Sequence, residues 1–327
     1  MTKHETKTLV VDSSPHILSS VSTSAIMWTV TCCLIPSGLV SIYVFGRSVL
    51  WIILTAVGGA VITEWGCSLV RKRPPTIGDG SAVLTGLLLA YNVPPESPLW
   101  MVFVGAFVAI IFGKMIFGGL GSNIFNPALI GRVFLMASFP VLMTRWPAPV
   151  NVDAVTAPTP LAVMKDGVMG GGIFAKAEII NYSLRDLLLG FRGGCIGETC
   201  ILALLLGAFY LLLRGYISWH TPLSFIGSVA LMSWVFGGKG LFAGNVLIPL
   251  LSGGLVLGAF FMATDYVTAP VTKTGQLVFG IGCGLITGVI RIWGGYPEGV
   301  SYAILLMNAA TPLIDKFVKP RRFGQVQ

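Results

Sequence analysis

Residues 24–45 carry no charged side chain, and residues 48–70 carry one, Glu64. An α-helix needs about 20 consecutive apolar residues to cross the hydrocarbon of a bilayer. Comparable runs recur at 98–117, 198–215, 220–237, 246–264 and 275–293, with shorter or interrupted ones at 81–93, 125–141 and 299–315. Charged residues make up 10% of the 327 positions, against roughly 25% in soluble domains. The chain therefore reads as an all-α polytopic membrane protein of about ten transmembrane segments, several of them short, with no soluble domain.

The net charge is +8, and its distribution matters more than its size. Lys3 and Lys7 precede the first apolar run, Arg71, Lys72 and Arg73 follow the second, and Arg214 follows the sixth. Lys316, Lys319, Arg321 and Arg322 follow the last. With ten segments all of these fall on one face, which the positive-inside rule makes cytoplasmic. Such placement speaks for membrane topology and against nucleic acid as a partner. Residues 1–20 lack the apolar core of a secretory signal peptide. They read as a cytoplasmic tail, 317–327 as a second one, 21–316 as one membrane domain, and about 142–190 as an extracytoplasmic loop.

An internal repeat runs through the membrane domain. "LTGLLLAYNVPP" (84–95) resembles "LGAFFMATDYVTAP" (257–270), and "IFGGLGSNIFNPALI" (116–130) resembles "IWGGYPEGVSYAILLMNAATPLI" (292–314). Two halves of about five segments each must lie in opposite orientations, and inverted repeats with broken helices hold polar groups and helix ends near the bilayer midplane. Transporters and cofactor-holding subunits share that geometry.

The polar residues gather at the breaks. Pro127 suits a first helical turn with Asn126 as its cap, although Asn126 is equally a ligand contact. Asn123, an amide within a membrane segment, needs partners that a ligand supplies. Arg132 either pairs with a carboxylate, holds an anionic phosphate or reduced flavin, or snorkels to the interface. Gly193 and Gly194 precede Glu198 as an anion-binding helix start would, and Glu198 itself is a first-turn charge or a carboxylate on an ion path. Asp265 at a helix break and Glu64 inside a span are the other ion-path candidates. The six cysteines, Cys32, Cys33, Cys67, Cys195, Cys200 and Cys283, form no CxxC pair and read as small packing residues. The loop "NVDAVTAPTPLAVMKDG" (151–167) sets Asp153, Thr156 and Thr159 in a Thr/Pro-rich turn.

Taken in order, "DGSAVLTGLLLA", "SNIFNPALIGRVFL", the D-x-x-T-x-x-T-P-L loop, "RGGCIGET", "FMATDYVTAPVTKTGQLVFGIGCGLITGVIR" and "NAATPLID" resemble the RnfD/NqrB family across residues 20–316. These are membrane subunits of ion-translocating electron-transport complexes. The resemblance implies FMN joined by a phosphoester to Thr159, within a motif that includes Asp153 and Thr156 and departs from the usual Gly-Ala at Ala157 and Pro158. It implies a flavin transferase acting outside the cytoplasm, a noncovalent riboflavin near Asn123 and Asn126, and a bacterial inner-membrane location. It further implies partner subunits of an Rnf complex (ferredoxin:NAD oxidoreductase), with sodium or protons as the ion moved. Within such a complex the chain would be part of an ion-translocating oxidoreductase, its standing as an enzyme by itself left open; no dinucleotide-binding glycine fingerprint is present, which leaves NAD reduction to other subunits. The rival reading is a permease or channel, because the family's fold resembles that of urea transporters.

Overall fold

The computed structural model describes residues 21–72, 76–147, 159–169, 184–238, 240–296 and 298–319, the side chains of 166–169 and 184 excepted. Among them there are fourteen α-helices and no strand. The first part of the chain forms α1 (Thr23–Phe45), α2 (Ser48–Val70), α3 (Ser81–Tyr91), α4 (Leu99–Ile110), α5 (Pro127–Ser138) and α6 (Pro140–Met143). Two short helices follow, α7 (Pro160–Met169) and α8 (Leu184–Leu189). The second part forms α9 (Ile201–Leu213), α10 (His220–Phe236), α11 (Leu247–Leu251), α12 (Leu255–Leu257), α13 (Lys273–Trp293) and α14 (Val300–Phe317).

Three helices, α1, α2 and α13, are long and apolar enough to cross a membrane. They are apolar on both faces. Leu34, Ile52 and Ala56 are buried, while Leu39, Trp51, Leu54, Ile62 and Val70 are exposed, as suits a helix with packed neighbours on one side and lipid on the other. The chain is a helical membrane protein.

Several segments are shorter than the apolar runs that encode them. Hydropathy predicts one uninterrupted span over 246–264. The chain is instead broken at Ser252–Gly254, where Gly253 and Gly254 take left-handed φ of 72° and 62° and split α11 from α12. Conversely, the run 299–315 predicts a short segment, and it forms an 18-residue helix despite Pro312. α4 continues into a π turn at Ile111–Met115 and α12 into another at Gly258–Met262. Such turns widen a helix locally and recur at functional sites.

Packing follows the same order in the two parts. α2 packs on α4 and α4 on α5; α10 packs on α13 and α13 on α14; the parts meet where α1 touches α9 and α5 touches α14. The most extensive of these contacts, α10 against α13, rests on small residues. A Cβ at Gly284 would come 2.7 Å from Phe225 O, and one at Gly288 2.7 Å from the Cβ of Met232. Close backbone approach of this kind substitutes for the hydrophobic drive that helices lack in lipid.

Replacing Gly284 by Ala should therefore cost about 1–3 kcal/mol through overpacking, read as a lowered melting temperature in detergent. Gly58→Ala, with nothing within 4 Å of the added atom, should be neutral or slightly stabilising.

Candidate functional site

The short helices leave a first cleft between the two parts of the chain. Leu84, Leu120, Phe260, Phe261 and Tyr266 form apolar walls, and Lys114, Asn123, Asn126 and Asp265 provide the polar groups. Asn126 serves two purposes. Its Oδ1 caps α5 by accepting from Ala128 N at 3.1 Å ahead of Pro127, and its Nδ2 donates to Met262 O at 3.4 Å. Asn123 donates to Phe125 O at 3.2 Å, whereas its buried Oδ1 has no partner. Asp265, half-buried, accepts from Thr268 Oγ1 at 3.2 Å and faces Asn123.

Beside this cleft lies a buried ion pair. Lys114, in the π turn after α4, donates to Glu64 Oε2 at 2.7 Å, with the two side chains 2% and 0% exposed. Lys114 also donates to Ser81 Oγ at 2.5 Å, and Ser81 Oγ donates to Asp79 Oδ1 at 2.5 Å. Thr76 Oγ1 donates to the other Glu64 oxygen at 2.5 Å. Glu64 is thus held by a cation and a hydroxyl at the N-terminal end of α3.

A buried polar chain leads from the cleft through the core. The Asn92 amide, at the C-terminal end of α3, donates to Met262 Sδ at 3.7 Å and to Leu88 O at 2.6 Å. Arg132 Nη1 donates to Asn92 Oδ1 at 2.5 Å, and Nη2 forms an ion pair with Glu298, in the turn before α14. The carboxylates of Glu298 and Glu198 and the Cys195 thiol bring their ligand atoms within 4.8 Å of one another. These are metal-binding atom types. Arg132, bonded to Glu298 and 3.8 Å from Cys195 Sγ, already supplies positive charge there.

Gly193 and Gly194 belong to this region as well. A Cβ on Gly194 would lie 2.9 Å from Glu198 Oε2. Gly194 thus packs against the chain's own carboxylate, and the helix beyond it starts only at Ile201. Arg192 extends the chain, donating to Glu198 O at 3.1 Å and to Ser252 Oγ at 2.9 Å. Arg291 then donates to Ser252 O at 3.2 Å.

Arg291 lines a second, smaller cleft, shared with Leu161, Met164 and Lys165 of α7, Ser233 and Gly237 at the end of α10, Pro249 and Ile292. Thr159 stands at the start of the helix that forms one wall. It is 4% exposed, and its Oγ1 accepts from Ala162 N at 3.2 Å. The loop composition predicts an exposed hydroxyl on an extended segment. The hydroxyl instead caps α7 as a threonine directly before Pro160 does, and it is buried because α7 packs against α11 and α13. Asp153 and Thr156 lie outside the described residues.

Of the candidates from the sequence, Asn123, Asn126 and Asp265 share the first cleft, Glu64 adjoins it through Lys114, and Arg132, Gly194 and Glu198 meet in the polar chain. Thr159 neighbours the second cleft.

The family model for NQR2, RnfD, RnfE matches residues 10–324. The chain belongs to this family. A relative from Clostridium ljungdahlii, named for one subunit of the proton-translocating ferredoxin:NAD(+) oxidoreductase complex, is 48% identical over 325 residues, 96% of each chain. The corresponding protein of Acetobacterium woodii, named for the Na(+)-translocating ferredoxin:NAD(+) oxidoreductase complex, is 46% identical over 318 residues, 97% of this chain and 95% of the relative. That of Pseudomonas aeruginosa, named for the ion-translocating oxidoreductase complex, is 40% identical over 328 residues, 95% of each.

Lys114, Glu298, Arg192 and Arg291 are functional candidates of this family member that sequence reasoning misses. Lys114 has a visible signal, a lone lysine within "IIFGKMIFGG"; an intramembrane cation demands a partner. The partners of Arg132 and Arg291 come from distant segments and leave no local pattern.

Removing one member of the buried Lys114–Glu64 pair strands the other. Lys114→Met should destabilise the protein by about 3–5 kcal/mol, and adding Glu64→Leu to it should recover most of that loss, both read by denaturation in detergent.

Proposed function

We propose that this chain is the flavin-bearing membrane subunit of an ion-translocating ferredoxin:NAD(+) oxidoreductase complex of the kind its relatives are named for. The observation that carries the reading is the pair of clefts joined by one buried polar chain, from Asn126 through Met262, Asn92, Arg132, Glu298, Glu198 and Arg192 to Arg291. Two separate ligand sites suit two redox stations, and the polar chain suits charge compensation between them.

The residues fit the flavins the family implies. For FMN on Thr159, the phosphoester carries its negative charge at the N-terminus of the ten-residue helix α7, where the helix dipole and the Ala162 N–H that meets Thr159 Oγ1 favour an anion. Since Thr159 is buried, the transferase acts on the loop before α7 docks. For riboflavin, the first cleft sets a few polar groups among apolar walls, as small-molecule sites do, and the unpartnered Asn123 Oδ1 can accept from a ring N–H. Bound flavin supplies one- and two-electron redox chemistry. The chain's own residues position it, exclude water with Leu84, Leu120, Phe260 and Phe261, and hold charge nearby with Lys114, Glu64 and Asp265.

Ten spans in two inverted repeats agree with the matching packing orders α2–α4–α5 and α10–α13–α14. In that topology both termini are cytoplasmic and the Thr159 loop is extracytoplasmic, in a bacterial cell membrane. Ferredoxin oxidation and NAD reduction then belong to partner subunits. Relatives of nearly equal identity are named for protons and for Na(+), so the fold is compatible with either cation, and Glu64, Glu198 and Asp265 are the acidic groups this chain offers to it.

Peptide mass spectrometry of protein from its native membrane should find FMN on the 151–165 segment, and Thr159→Ala should abolish it. Wild-type protein without flavin that transports a solute unaided would instead make the chain a permease.

A further inference from the structure

Arg291 is a cation set into the wall of the second cleft, and every group it bonds is neutral. Nη1 donates to Pro249 O at 2.6 Å, and Nη2 to Ser252 O at 3.2 Å and Gly253 O at 3.0 Å. The Nε–H is buried and has no acceptor. The residue is 7% exposed, and among the described residues the buried ion pairs are Lys114–Glu64 and Arg132–Glu298, neither of which includes it. Glu198 and Glu298 act on it through space, without a bond. A cation withdrawn from water without a contacting counter-ion is costly, so an anionic group in the cleft is favoured there.

The cavity beside it selects the kind of anion. With Leu161, Met164, Pro249 and Ile292 in its walls beside Lys165 and Ser233, it suits a largely apolar group carrying one polar, anionic edge. A Cβ on Gly253 would fall 2.7 Å from Arg291 Nη2 and against the Leu161 side chain, which brings α7, the break before α12 and the guanidinium together at one point. Thr159 lies two residues before Leu161, so a group tethered there reaches the cleft along the first turn of α7.

We infer that this cleft seats the isoalloxazine ring of the flavin attached to Thr159, with the pyrimidine edge of the ring against Arg291. The inference rests on the flavin attachment proposed above. The phosphoester is received by the N-terminus of α7, which leaves Arg291 for the other end of the ligand. That edge gains negative charge on reduction. A fixed cation next to it stabilises the reduced form and raises the midpoint potential.

The test uses protein matured in its native membrane with its transferase, as wild type, Met164→Trp, Arg291→Gln and Arg291→Lys. Peptide mass spectrometry reports attachment, iodide quenching and fluorescence anisotropy report ring docking, and spectroelectrochemistry reports potential. With FMN still on the peptide, Met164→Trp fills the cleft, so anisotropy falls and iodide quenching rises severalfold. Arg291→Gln shifts the FMN potential to a more negative value, and Arg291→Lys restores part of the shift. FMN attached in all four proteins with unchanged quenching, anisotropy and potential overturns the ring site alone. Wild-type protein with no FMN on the peptide overturns the attachment and the ring site together.

Discussion

The ion pair between Arg132 and Glu298 joins the two parts of the chain, since α5 belongs to the first and the turn before α14 to the second. Both side chains are buried. In an apolar interior neither charge is tolerable alone, and loss of one partner strands the other at a cost of about 3–5 kcal/mol. The contact of α5 with α14 is therefore more than packing of similar surfaces. It holds Asn92 against the guanidinium, brings Glu198 beside Glu298, and sets the polar chain that runs between the clefts.

The same constraint accounts for the broken helices. Lys114 sits in a π turn and meets Ser81 at the start of α3. Arg132 meets Asn92 just past the end of α3. Arg291 meets the carbonyls of Ser252 and Gly253, which are free because the chain breaks between α11 and α12. A continuous helix spends its carbonyls on its own N–H groups. Interrupting it releases acceptors inside the membrane domain, which Arg291 uses, whereas Lys114 and Arg132 take side-chain acceptors, Ser81 and Asn92 among them, at the two ends of α3. Polar backbone at membrane depth is tolerated where protein buries it or it lines a cavity, and both conditions hold here.

Thr159 joins local rule to distant context. Its role as N-cap follows from Thr-Pro at a helix start and is open to reading from the sequence. Its burial is not, because burial depends on α7 packing against α11 and α13. At Gly194 a side chain would meet Glu198 Oε2, a contact that spacing alone does not distinguish from a phosphate cradle.

What the sequence by itself determined is the class of the molecule. Charge-poor runs of spanning length require helices in lipid, Pro127 after Asn126 requires a capped start, and the ordered motifs carry the family. Positions of single polar residues in apolar runs, Glu64, Arg132 and Asp265 among them, marked where the interior is not purely hydrophobic. Tertiary structure alone decided the pairings, Glu64 with Lys114 across 50 residues and Arg132 with Glu298 across 166. It also decided that the run 246–264 breaks, since two glycines permit a left-handed turn and a buried arginine needing carbonyls stands beside it. Hydropathy is a sum over neighbours in the chain. A buried charge is balanced by neighbours in space, and only the folded molecule brings these together.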